Sequence, residues 1–323
     1  MSVADKIQIL NTIKTDIKTA INSKGGNVGD DFTTYAAAIN DLETGGDGTF
    51  NITNDVSLAF SSFSIVPENI QLSDDCTKAK NLFRSCEKLT TLPDWNFLNI
   101  NNGYSMCRGC LMLNDIPVVA GLTFRNMTDT QYMFYGCTDL VNVNIDITGS
   151  TNCQYMFYDC KSLGDYISLG LPNATNCQYM FYNTPQLQEV NLLSTNNVTT
   201  FAYCFYDYTK GSGQLYRVEQ LDCSSVTTGG TANMFYYQTN LTDVAGFVNL
   251  GAGFEPLTKN YSFDLSQSKK LTDESLRNII RDLADVTDKL NGYTCTLNLY
   301  NQLATSLSDE QIAIATSKGW TVA

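Results

Sequence analysis

Four segments of the chain read almost alike: QYMFYGC at Gln131 to Cys137, QYMFYDC at Gln154 to Cys160, QYMFY at Gln178 to Tyr182 and NMFYY at Asn233 to Tyr237. Aligned on the Phe, the pattern places anchors at Phe83, Cys107, Phe134, Phe157, Phe181, Phe205 and Phe235, with gaps of 24, 27, 23, 24, 24 and 30 residues. A fixed period of this length belongs to units that cannot bury their apolar side alone and must stack on neighbours. Such a body presents a surface rather than a catalytic cleft.

Within one unit the anchor is followed by Cys at +3, Leu at +6 and an aliphatic residue near +9, as in Phe134, Cys137, Leu140 and Val143. Phe83, Cys86, Leu89 and Leu92 keep the frame, and so do Phe181, Thr184, Leu187 and Val190, with Thr replacing Cys. The three-to-four-residue steps around the anchor predict one short helical turn. The alternation Val143-Asn144-Ile145-Asp146 predicts a short strand with one buried side. Strands paired in parallel, one per coil and about 4.8 Å apart, would make a rod on the order of 40 Å long. After Phe205 the Leu is delayed to Leu215, and the intervening Lys210-Gly211-Ser212-Gly213 should loop out on the surface.

These residues resemble the BspA-type leucine-rich repeats, whose units read roughly Met-Phe-x-x-Cys-x-x-Leu-x-x-Leu. The likeness covers residues 79 to 271. It implies an α/β repeat solenoid, leucine-rich-repeat-like, right-handed and parallel, of a kind used for surface attachment and binding. The chain departs from the pattern in its tyrosine richness and in lacking charged strand faces, which leaves the ligand open.

Both ends differ from the repeats. Over residues 1–44, Ile7, Leu10, Ile13, Ile17 and Ile21 form an amphipathic stripe ended by Gly25-Gly26. So short a module cannot build a robust core by itself. The stripe is therefore the candidate oligomerisation or docking surface, with a trimer favoured over a dimer. Residues 45–49 read as a Gly-rich linker and 50–78 as an N-terminal cap. The stretch Ile-Lys-Thr-Asp-Ile-Lys-Thr-Ala-Ile-Asn-Ser-Lys-Gly-Gly is similar to N-terminal modules on structural proteins of tailed phages of gut bacteria. That resemblance implies docking to other virion proteins. Residues 272–323 read as an α/β C-terminal cap, with a helix carrying Leu276, Ile279 and Ile280 and a Ser308/Gln311 capping box.

The chain has no histidine, which removes the commonest general base and the favourite zinc ligand. Six of the eleven cysteines fall at repeat positions, so they read as small buried hydrophobes and free thiols rather than ligands. A net charge of −13 argues against nucleic acid or an anionic membrane as partner. There is no run of 18 apolar residues and no apolar leader core. A glycan-cleaving enzyme would need two carboxylates about 5 to 9.5 Å apart, and the acids do not recur at matched repeat positions. The chain thus reads as a non-enzyme with no catalytic set, metal site or cofactor.

Tyr135, Tyr158, Tyr182, Tyr206 and Tyr236 each follow an anchor and should form a ladder along one edge. Such a ladder suits a host-surface glycan or protein, because tyrosine offers rigid apolar area with a polar tip. The same ladder would equally seal the core margin. Outward Asn144, Asp146, Glu189 and Asn191 read as a solvated strand face. The expectation is a virion fibre or decoration protein of a tailed phage, made in the host cytoplasm; the alternative is a cell-surface adhesin of a gut bacterium.

Overall fold

A computed structural model of the protein describes residues 76–116 and 123–323, with residues 15, 18, 19, 50–52, 60, 61 and 70–72. The stripe Ile7, Leu10, Ile13, Ile17 and Ile21, the linker 45–49 and nearly all of the 1–44 module lie outside the described residues.

The repeats are held together by an alternation of backbone hydrogen bonds. Thr130, Tyr132, Phe134 and Gly136 donate their N–H groups to the carbonyls of Asn152, Gln154, Met156 and Tyr158, at 2.8–3.1 Å. The residues between them bond locally: Met133, Tyr135 and Cys137 donate three positions back, to Thr130, Tyr132 and Phe134. The next coil does the same, with Cys153, Tyr155, Phe157 and Asp159 donating to Asn176, Gln178, Met180 and Tyr182. One coil thus lies parallel on the next, and isolated bridges run Lys78–Asn102–Asp129–Asn152–Asn176–Thr200 along one side.

The helical turn predicted around each anchor does not form; a run of three-residue turns takes its place. A helix needs every N–H pointing back along its own axis, whereas here every second N–H points to the neighbouring coil. Backbone dihedrals follow suit. The residues two before and two after the anchor are left-handed, as at Tyr132 (φ 58°) and Gly136 (φ 71°), Tyr155 (58°) and Asp159 (59°), and Tyr179 (57°) and Asn183 (57°). Positive φ at the third position is what a type II turn requires. Each turn returns the chain inward after three residues, so Phe134, Cys137 and Leu140 are all fully buried.

Anchors stack in register. Rings of Phe134, Phe157, Phe181, Phe205 and Phe235 follow one another at 5.6, 5.4, 5.7 and 5.2 Å. The residue at +3 has a second task. Cys110 donates its thiol to the carbonyl of Phe83 (3.0 Å), Cys137 to Cys107 (3.2 Å) and Cys160 to Phe134 (3.1 Å). In each case the acceptor is the anchor of the preceding coil. Where Gln238 replaces Cys, its amide reaches the Phe205 carbonyl at 2.6 Å. Cys86 donates likewise to Phe60 (2.8 Å), and Phe60 stacks on Phe83 at 6.1 Å. Phe60 therefore occupies an anchor position inside the segment read from the sequence as a cap. Thr184 turns back to its own anchor, Phe181. All eleven cysteines are buried and none is linked to another.

Regular strands appear only in parts of the stack. β1 (Phe50–Ile52) pairs in parallel with β2 (Ile70–Leu72). β3 (Asp165–Gly170), β4 (Leu187–Leu193), β5 (Arg217–Val218) and β7 (Asp243–Val244) form a parallel sheet in that order, and β6 (Leu221–Asp222) pairs with β8 (Phe247–Val248). The stretch 143–146 keeps its alternating burial without becoming a strand. The insert after Phe205 projects at Tyr208 to Lys210, and the buried Asp207 carboxylate fastens it by accepting from the N–H groups of Thr209 and Gly213, both at 2.8 Å.

The C-terminal segment covers the last coil. β9 (Tyr261–Leu265), β10 (Cys295–Leu299) and β11 (Trp320–Val322) continue the parallel pairing. α1 (Asp273–Asp282) buries Leu276, Ile279 and Ile280 and is capped by Thr272, whose side chain accepts from the Ser275 N–H. After α2 (Asn301–Ser306), the Ser308/Gln311 capping box opens α3 (Asp309–Ser317). On α3, Ala315 is buried, whereas Ile312 and Ile314 are exposed. Lys318 satisfies the C-terminal carbonyls of α1 at Arg281 (2.6 Å) and Leu283 (2.8 Å), where a cation also suits the helix dipole.

The +3 contact yields a direct test. Cys137→Val keeps a small apolar side chain but removes one of two hydrogens that the Cys107 carbonyl accepts, the other coming from the Cys110 N–H, and should cost about 0.5–1.5 kcal/mol. Cys137→Ser keeps a donor and should cost less. Cys137→Phe overpacks the ladder and should cost about 1–3 kcal/mol or more. Urea midpoints of the three variants check the order.

Candidate binding face

The five tyrosines read as a ladder form a stacked column. Tyr135 and Tyr158 lie 4.7 Å apart at 3°, Tyr158 and Tyr182 4.6 Å at 1°, Tyr182 and Tyr206 4.7 Å at 5°, and Tyr206 and Tyr236 5.4 Å at 15°. All five are half-buried.

Beside it stands a second column that the sequence reading overlooked. Tyr132, Tyr155, Tyr179 and Tyr203, two residues before their anchors, stack at 4.6–4.7 Å with planes within 7°. Rings of the two columns meet at a tilt, 5.7 Å apart for Tyr155–Tyr158 and for Tyr179–Tyr182. The signal was present: this Tyr recurs as regularly as the other. It was missed because a helical turn would have pointed it elsewhere. The left-handed dihedral at this position is what brings its ring alongside the first column.

A third row runs along the edge. Gln131 donates its side-chain amide to Gln154 at 2.7 Å, Gln154 to Gln178 at 3.1 Å, and Gln178 to the Thr200 hydroxyl at 3.2 Å. Below it, Asp129, Asn152 and Asn176 accept from the N–H two residues on and fix where each tyrosine turn begins.

This geometry decides what the face offers. Rings stacked this closely use both faces on each other, so a ligand meets ring edges and phenol tips. Among the described residues, none of the hydroxyls of Tyr132, Tyr135, Tyr155, Tyr158, Tyr179 or Tyr182 bonds to another protein group. The face is a comb of free O–H groups at the coil spacing, flanked by an amide row. Burial raises the affinity of Tyr132, Tyr155, Tyr158, Tyr179, Tyr182 and Tyr206 for their protons, and neighbouring tyrosines raise it further.

The outward acids are engaged elsewhere. Asp146 accepts from the N–H and hydroxyl of Thr148 at 3.0 and 2.7 Å, and Glu189 accepts from the Tyr216 hydroxyl. On the parallel sheet Arg217 lies between Glu189 and Asp243 and pairs with Glu219 at 2.8 Å. Asn191 donates to the Tyr166 hydroxyl. Among the described residues no group of three or more His, Cys, Asp or Glu side chains is placed to hold a metal. No helix among them is long and apolar enough to cross a membrane.

In sequence, the family described as Mycoplasma protein of unknown function, DUF285, matches the chain in three overlapping stretches, 55–169, 119–218 and 175–247. Together they cover more than half of the 323 residues, and the chain belongs to this family, which is often found in BspA-like repeat proteins. The overlaps fit a body in which the same unit can be aligned from several starting coils. Among curated proteins none matches the chain.

The raised phenol values set a pH dependence. The folded protein holds these protons more tightly than the unfolded chain, whose tyrosines titrate near 10.0. The linked stabilisation is complete below pH about 10 and is lost as pH rises through the raised values. Absorbance titration near 295 nm should show a group of tyrosines ionising above pH 10 in the folded protein and normally in urea, with the urea midpoint falling over the same range.

Proposed function

We propose that the chain is a non-enzymatic attachment protein, a right-handed leucine-rich-repeat-like parallel solenoid whose tyrosine face binds a host-surface glycan or protein. The supporting observation is the comb of unpartnered phenol hydroxyls on two rigid columns. Sealing the core margin needs the rings but not the hydroxyls, and phenylalanine would serve that purpose as well. The resemblance of residues 1–44 to phage modules supports placing the protein on the virion of a tailed phage, as a head or tail fibre or decoration. There the stripe Ile7, Leu10, Ile13, Ile17 and Ile21 would hold a homotrimer or dock to another virion protein. Five aliphatic side chains, each contributing about 1.5 to 3 kcal/mol when buried, supply the driving force. A second reading, a cell-surface adhesin of a gut bacterium, is favoured by the family's occurrence in BspA-like repeat proteins.

Two experiments separate these readings. Replacing Tyr135, Tyr158, Tyr182 and Tyr206 together by Phe keeps the stacking and removes the hydroxyls. Stability should change little while binding to host cells falls at least tenfold; unchanged binding would reduce the columns to packing. Light scattering of the full chain and of a version starting at Thr49 should give a trimer and a monomer, and the shortened form should fail to join particles. A shortened form that still joins virions removes the anchoring role.

A further inference from the structure

The tyrosine columns do not run the whole length of the stack. At the position of Tyr135, the two preceding coils carry Arg108 and Arg84. At the position of Tyr132 they carry Ser105 and Asn81, and at that of Gln131 they carry Tyr104 and Lys80. The neutral comb thus ends, on its N-terminal side, in three cations on two adjacent coils. This is unusual in a chain of net charge −13.

The cluster is held by aromatic contacts rather than carboxylates. The Arg108 guanidinium lies over the rings of Tyr135 (4.6 Å) and Tyr132 (5.1 Å), and the Lys80 ammonium lies over Tyr104 (4.7 Å). Tyr104 in turn packs edge-on against Tyr132 at 5.7 Å. Among the described residues neither Arg84, Arg108 nor Lys80 forms an ion pair with an acid within 4.0 Å, although the Asp129 carboxylate is near enough to feel the charge of Lys80. Arg84 and Arg108 belong to directly stacked coils, because the Ser85 N–H donates to the Arg108 carbonyl at 2.8 Å. Like charges so placed repel each other, and an anion between them removes the repulsion.

The layer beneath these cations is polar as well. Ser105 is wholly buried and Asn81 is 8% exposed, yet the Ser105 hydroxyl and the Asn81 side-chain carbonyl have no hydrogen-bond partner. Both occupy the register position from which the tyrosines project in later coils, between the Arg column and the Lys80–Tyr104 column. Both atoms are sealed from solvent, so they form a polar layer beneath the cations and not groups that a surface ligand touches.

We propose that Arg84, Arg108 and Lys80 bind one carboxylate of an acidic sugar, with the adjoining saccharide running onto the phenol comb. This rests on the attachment reading and names the ligand class for the same face. Guanidinium groups fit a carboxylate in a bidentate fork, and the comb and the glutamine row match sugar hydroxyls. A polyanion such as single-stranded nucleic acid fits less well, since the cations span only two coils and the rest of the chain is acidic.

Isothermal titration of the full chain tests this with 3′-sialyllactose against lactose, and oligogalacturonate against a neutral galactose oligomer. At least one acidic probe should bind tenfold or more tighter than its neutral partner. Arg108→Gln and Arg84→Gln should each remove that advantage, and Arg108→Lys should restore part of it. Equal binding of acidic and neutral probes, unchanged affinity in both Gln variants, no binding by any probe, inorganic sulfate bound as tightly as the sugar acid, or preference for a single-stranded oligonucleotide would each overturn the proposal. The attachment reading is judged separately, on host cells with the tyrosine-to-phenylalanine variant. Cells bound through hydroxyls but indifferent to the arginines would leave that reading standing and remove the anion site.

Discussion

Everything regular in this protein depends on one division of labour in the backbone. Around each anchor from Phe83 to Phe205, every second N–H bonds to the next coil and the ones between close three-residue turns within their own. The first set fixes the distance between coils; the second fixes which side chains face inward. Neither could do both. Because the two alternate without slippage through successive coils, residue types at a given position meet their own kind: Phe on Phe, Tyr on Tyr, Gln on Gln. The arrangement holds non-glycine residues at positive φ, which is energetically unfavourable. Ring stacking on both sides of Tyr155 and Tyr179, about 0.5–1.5 kcal/mol per pair, works against that strain.

The repeat period and the buried set were legible in the sequence because the anchor, +3 and +6 positions recur with few exceptions. The local conformation was not. Three-residue spacing fits a helix and a chain of turns equally well in so short a stretch, and only the destination of alternate N–H groups separates them. The second tyrosine column was lost with that choice. The thiol donation from Cys137 to the preceding anchor was hidden for another reason: the motif shows that a small residue recurs, not that its hydrogen has an acceptor. Phe60 escaped because its neighbours lack the Tyr-Met-Phe signature, although its bond from Cys86 is the same. The cap was easier to read, since capping boxes and helix stops are local chemistry.

The stacking also changes what an aromatic ladder means. A ring free on one face invites a sugar or an aliphatic side chain to lie flat on it. Rings packed at 4.6–4.7 Å leave no face free, so in the proposed attachment role recognition would shift to their rims. Selectivity would then come from hydrogen-bond direction and from the charged end of the columns, rather than from apolar area.

The Asp207-fastened insert shows how the gene for such a protein can vary. Four additional residues, which move the Leu from +6 to +10 after the anchor, are tied off at one carboxylate, and the coils on either side still pair, with Tyr203 donating to Ala232 and Phe205 to Met234. A unit that tolerates a private insertion without disturbing its neighbours can also be duplicated or deleted whole. Recombination between the near-identical QYMFY segments would then lengthen or shorten the phenol comb one coil at a time. The cationic end and the C-terminal cap would remain in place, so the reach of the proposed binding face would become a heritable quantity separate from its chemistry.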